Sequence, residues 1–273
     1  VSAAPGVLSA PEQLLWFHGC RRPEHIDLEA IACDRGARVV YRRMDGCAAR
    51  LLTDGEQAII SIQAGDNEGR RRFSLAHELA HWINDARRGF NCFGDDIGPQ
   101  NAEAASVEAA ANVFSSQLVL PDYLVAPWMR GRRVDLALAV ELSAVFRTSV
   151  TASAIKLARS TEFGVCLVCH SLQGRRWFVR SSTWPSRLYP RLQLHRKTAA
   201  YELAARGCGG MANAASSPGA HWLSGMGSAA VQIDAQSMRL PDGTTLTMLA
   251  LPAGAGPDDT RACAGRPGAL IIG

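Results

Sequence analysis

The stretch Phe73 to Asn84, FSLAHELAHWIN, constrains this chain more than any other. Phe73, Leu75, Ala76, Leu79, Ala80 and Ile83 recur at helical spacing, so the segment reads as a helix buried in a domain. Within it stand His77, Glu78 and His81. Residues four apart on a helix lie one turn apart on one face, which lets both imidazoles reach one metal ion. Glu78 follows the first histidine and flanks that face, within reach of a metal-bound water. Two imidazoles and a neighbouring carboxylate form the core of a metal-assisted hydrolase. The plainer reading is a pair of core histidines bonded to backbone carbonyls, and a third ligand decides against it.

That ligand is sought in the second long helix, Ala102 to Leu120, which Pro121 ends. Val107, Ala110, Ala111, Phe114 and Leu118 set its apolar face, and Glu108 lies beside that stripe with Ala111, Asn112 and Ser115. A carboxylate near the interior needs a cation or hydrogen bonds. An open catalytic metal site with two histidines lacks one protein ligand, which Glu108 can supply. By spacing alone Glu103, Asp95 and Asp96 remain rivals.

The two segments together resemble the ImmA/IrrE family of metallopeptidases. The family pattern is roughly R-x-F-[ST]-x-A-H-E-x-x-H, then E-x-x-A-N-x-F-A-x-x-L-L-x-P. This chain matches it through Arg71 or Arg72, Phe73, Ser74, Ala76, His77, Glu78 and His81. It matches again through Glu108, Ala111, Asn112, Phe114, Leu118 and Pro121, departing at Ser115 and Val119. The resemblance spans residues 10 to 160. It implies that Glu108 joins His77 and His81 as third metal ligand, that Glu78 is the catalytic base, and that Arg72 and Asn112 support the site. It also implies Zn as cofactor, although two histidines and a carboxylate accept Mn as well. The implied substrate is a DNA-binding repressor of the helix-turn-helix type, cleaved to relieve repression after stress or in a mobile-element switch. A different class of function remains: a non-proteolytic anti-repressor or DNA-associated regulator whose metal is structural. Glu78 speaks against it, since a structural site needs no base.

The expected fold is α+β. Residues 1–9 are read as disordered, 10–126 as a zincin-like peptidase domain and 127–160 as a helix-turn-helix-like pair. Residues 161–252 are read as a smaller α+β domain, which longer relatives suggest is a GAF-like sensor, and 253–273 as a disordered tail. Upstream of the histidines come a helix ending at Gly36 and three short strands, with Asp54-Gly55 as a hairpin turn. The strand Ala58 to Ile62 is the candidate edge that holds substrate backbone by strand addition. Arg70, Arg71 and Arg72 read as the solvated entry to the histidine helix, with one arginine paired internally. Val134 to Phe146 and Val150 to Arg159 are helices joined at Arg147-Thr148-Ser149, with Ser149 or Thr151 as cap. Packing against the catalytic domain is the better reading of that pair than insertion into a DNA groove.

Composition adds limits. The net charge of +4 is carried by arginine, with Lys156 and Lys197 the only lysines. It permits nucleic-acid contact without arguing for it. No apolar run has the length of a membrane span, and the opening VSAAPGVLSAPEQ does not read as a signal peptide, so a cytoplasmic protein is expected. The eight cysteines read as reduced thiols. Cys166-Leu-Val-Cys169-His170 matches the haem-attachment spacing, but it lies in a stretch that alternates like a buried strand. Tyr123 and His170 are candidates for oxyanion stabilisation without a spacing argument.

Overall fold

A computed structural model describes residues 8–85, 102–207, 209–252 and 271–272, apart from the side chains of 85, 102–105 and 271–272. The chain divides into two compact units, Val1–Gly131 with Glu141–Ala152, and Arg132–Val140 with Ser153–Gly273. Both are mixed α+β, and no single described helix is long and apolar enough to cross a membrane.

The first unit opens with helix α1 (Ala10–Phe17). The buried Glu12 carboxylate closes its first turn by accepting from the N–H and hydroxyl of Ser9 at 2.9 and 2.7 Å. Its other oxygen accepts from the Tyr123 N–H, tying α1 to the start of α5 (Asp122–Met129). Asp27 caps α2 (Leu28–Asp34). Gly36 follows with φ +77°, and a Cβ there would meet the Glu56 carbonyl oxygen at 2.9 Å. Glycine therefore serves both the left-handed turn and the close passage of the chain.

Strands β1 (Ala37–Arg42), β2 (Ala49–Asp54) and β3 (Gln57–Gln63) form a sheet of order β1-β3-β2. β3 pairs parallel with β1 and antiparallel with β2, which meets it across the two-residue turn after Asp54. The expected edge strand is thus the central one. Both sides of its backbone are spent on neighbours, because β3 enters between β1 and β2. Strand addition to Ala58–Ile62 is ruled out, and the open edges belong to β1 and β2.

Helix α3 (Glu68–Asp85) packs on β3 and β2, and against α4 (Ala102–Val119). Leu75, Ala76, Leu79 and Ala80 bury the sheet-facing stripe, and the Trp82 indole donates to the Arg35 carbonyl at 2.7 Å. On α4 the buried positions are Ala111, Ser115, Leu118 and Val119, while Ala110 is exposed. Helices α6 (Leu136–Phe146) and α7 (Val150–Ser160) are each shared between the two units. Ser149 caps α7 by accepting from the Ala152 N–H.

In the second unit β4 (Val165–Ser171) and β5 (Gly174–Arg180) form a hairpin. After β6 (Tyr189–Pro190) comes α8 (Ala199–Arg206), capped by Thr198. A Gly/Ala/Ser-rich stretch supplies two short strands, β7 (Gly210–Met211) and β8 (Ala215–Pro218), both on β10. β9 (Leu223–Ser224) pairs β6. β10 (Gln232–Arg239) and β11 (Thr245–Ala250) make the last hairpin. β10 is one continuous strand whose edge carries β8 and then β7 in turn. The sheet runs β12-β5-β4-β11-β10-β7. The expected tail lies outside the described residues except β12 (Ile271–Ile272), which pairs β5.

One face of this sheet buries Cys166, Val168, Phe178, Ile233, Ala235 and Leu249 with Ala200 of α8, Trp184 and Trp222. The Gln236 side chain points to the other face and accepts from the Leu136 and Ala137 N–H groups, capping α6.

Candidate metal centre

His77 and His81 project from consecutive turns of α3, and Glu108 reaches them from α4. The two Nε2 atoms stand 3.1 Å apart. Glu108 Oε2 is 3.2 Å from His77 Nε2, and its Oε1 is 3.4 Å from His81 Nε2. His81 is buried, at 2% side-chain exposure, whereas Glu108 keeps 41%. The group is therefore walled on one side and open on the other, as a site for a substrate must be.

These distances test what the triad fits. A tetrahedral ion with bonds of about 2.0–2.1 Å has ligand-to-ligand edges of about 3.3–3.4 Å. The two imidazole nitrogens and the two Glu108 oxygens converge at nearly those edges. The donor set, two imidazoles and a carboxylate, suits zinc and also manganese. Hydrogen bonds from His77 and His81 hold the Glu108 carboxyl well below the usual carboxylate range. It stays an anion in the charge state a metal ligand requires.

Glu78 occupies the buried side, 3% exposed, and its Oε2 has no hydrogen-bond partner among the described residues. Burial pushes its carboxyl up from the ordinary 4.5, and the nearby imidazoles oppose that shift. A buried carboxylate oxygen without a partner among the described residues, beside three groups that could hold a metal, is placed to accept a proton.

The other sequence-derived candidates fall elsewhere. Asn112, one turn beyond Glu108, is exposed and makes no hydrogen bond among the described residues. The Arg72 guanidinium donates to the Ile26 carbonyl at 3.3 Å, which anchors α3 to the segment before α2. Arg70 pairs Asp66 at the surface, and Arg71 lies over the Tyr41 ring. The rivals Asp95 and Asp96, and the side chain of Glu103, lie outside the described residues. Tyr123 spends its hydroxyl on the Cys20 carbonyl at 2.7 Å. His170 sits in β4 with Nε2 on the Arg191 carbonyl.

Gly69 is a position that sequence reading passes over. Glycine in the first turn of a good helix is costly enough to signal a close backbone approach, and here it makes one.

Residues 32–158 match the family model of a peptidase domain described as IrrE N-terminal-like. No functionally curated protein matches the chain. The structure is similar to that of a Mycobacterium tuberculosis transcriptional regulator, with a TM-score of 0.57 and 14% sequence identity. The likeness covers 89% of this chain and 86% of that one. At that identity it bears on the fold alone.

Proposed function

We propose, with the IrrE N-terminal-like domain at residues 32–158 as the premise, that this chain is a zinc-dependent peptidase acting on a helix-turn-helix transcriptional repressor. The observation that carries the reading is the pairing of a convergent His77–His81–Glu108 triad with a buried, unpartnered Glu78 oxygen. Zinc bound there would supply a Lewis acid for the scissile carbonyl and a water of lowered pKa. Glu78, buried beside the three ligands, would be the group that holds the proton in transit to the leaving amine. Burial, by raising its affinity for a proton, suits it to that role. His77, His81 and Glu108 hold their positions through α3 packed against α4. The edge strand β2, on the side of the sheet that α3 covers, is the place for an extended substrate backbone.

The second unit is assigned as a GAF-like sensor that governs the peptidase in a stress response or mobile-element switch, in the cytoplasm. Its antiparallel sheet, with the β4–β5 hairpin beside β11 and β10, supports that assignment.

The test is co-expression with the helix-turn-helix repressor encoded beside the gene, comparing wild type with Glu78→Gln under added Zn or Mn. Repressor loss with the wild type alone is expected. A second reading is a non-proteolytic anti-repressor whose metal is structural. It requires derepression with an intact repressor in both strains.

A further inference from the structure

We infer that Glu68, Gly69 and Arg147 form a clamp that positions α3, and with it the face carrying His77, Glu78 and His81, on the turn between α6 and α7. The inference rests on the proposed function only in taking α3 as the metal helix.

Three observations carry it. Gly69 lies in the first turn of α3, and a Cβ there would stand 2.6 Å from the Ser149 nitrogen and the Thr148 carbonyl carbon, and 3.0 Å from the Thr148 oxygen. All three are backbone atoms, so no side chain can swing aside. Gly69 has no positive φ. Glycine is needed here for space alone, against its own weakening of a helix. Next, Arg147 is the sole non-glycine residue with positive φ among those described, at +55°. That conformation is disfavoured for a side-chain-bearing residue and needs support from its surroundings. Finally, the same residue directs its guanidinium onto Glu68, the immediate neighbour of Gly69. Nε donates to Oε1 at 2.6 Å, and a second nitrogen meets the same oxygen.

An exposed ion pair alone adds little to stability. Its use here is directional, since it fixes which way the strained turn faces. The boundary between the two compact units falls within α6 and within α7, and the turn between them, Arg147 to Ser149, belongs to the first unit. That turn meets the first turn of α3 at Gly69. From there the metal face lies eight residues along one continuous helix, about 12 Å at the usual rise. Glu68, Gly69 and Arg147 are positioning residues, not catalytic ones.

The experiment uses the full chain and two readouts: amide hydrogen exchange over residues 70–81, and Zn(II) affinity by chelator competition. Gly69→Ala, Glu68→Gln and Arg147→Ala are expected to speed that exchange and to weaken Zn(II) binding by about ten-fold, the scale of losing an outer support of a metal ligand. Arg147→Lys, which keeps a cation at Glu68, is expected to retain most of both. Gly65→Ala, where an added Cβ meets nothing within 4 Å, is expected to match wild type. Unchanged exchange in Glu68→Gln and Arg147→Ala overturns the clamp. Faster exchange with unchanged Zn(II) affinity makes the turn a structural seam and overturns the positioning role. Should Gly69→Ala fail to fold, the two exposed positions, 68 and 147, decide. A wild type that binds no Zn(II) sinks the proposed function, and the exchange readout still decides the clamp.

Discussion

Two short segments of this chain carry histidine in metal-binding company, HELAH on α3 and CLVCH on β4, and they end in opposite states. On the helix a spacing of four brings two imidazole nitrogens to 3.1 Å. On the strand a spacing of three sends the cysteines to opposite faces, because side chains alternate. Cys166 enters the core with Val168 and Phe178, where burial pushes its thiol up to about 12. Cys169 bonds Thr244 on the other side, and burial raises its thiol as well. Both thiols are free and protonated, with neither the convergence nor the thiolate character that ligation requires. A motif is thus a statement about geometry, and the period of the element beneath it decides whether the geometry exists.

The comparison breaks most sharply at the metal itself. His81→Ala is expected to remove the bound ion altogether, with repressor cleavage lost alongside it, as metal analysis of the purified protein would show. Cys166→Ala and Cys169→Ala should leave metal content unchanged, and no haem absorbance is expected from any form. Next in size is Glu78→Gln. It should bind the same metal yet cleave about 10²–10⁴-fold more slowly, the span of a lost general base; equal rates would remove Glu78 from the chemistry.

A smaller effect sharpens the strand side. Cys166→Ser places a hydroxyl in a fully buried apolar site and is expected to cost about 1–3 kcal/mol in chemical denaturation. Cys166→Ala should cost less than the serine variant. The smallest effect concerns His170. Burial lowers its pKa from 6.5. The unfolded chain therefore binds a proton that the folded one refuses. The stability His170 permits is fully present above 6.5 and is lost as pH falls through 6.5 toward the folded value. His170→Gln should flatten stability over that window, which urea titrations at several pH values would measure.

Much of the first unit is legible in the sequence because its signals are local. Gly36 after an amphipathic run closes α2. Asp54-Gly55 sets the β2–β3 turn, and Pro121 closes α4. The triad is legible as far as His77 and His81, since their proximity follows from one helix. Glu108 needs a resemblance, because spacing does not say how two helices pack. In the second unit the short strands β7 and β8 are illegible. They contain Gly, Ala and Ser rather than β-branched residues, and they exist because β10 offers an edge. β3 reads as a strand, yet its central place in the sheet does not, since strand order depends on where a crossover returns.

The sequence by itself determined the elements whose periodicity and caps are written within a few residues, and the chemistry that one helical turn can juxtapose. Only the tertiary structure decided that Glu108 completes the triad from α4, that β3 is central, and that Gly69 meets the turn at Thr148 and Ser149. The reason is physical. Propensity and periodicity act within a segment. Strand order, helix packing and backbone-to-backbone contact are set by the shared burial of residues far apart in the chain, which no local pattern encodes.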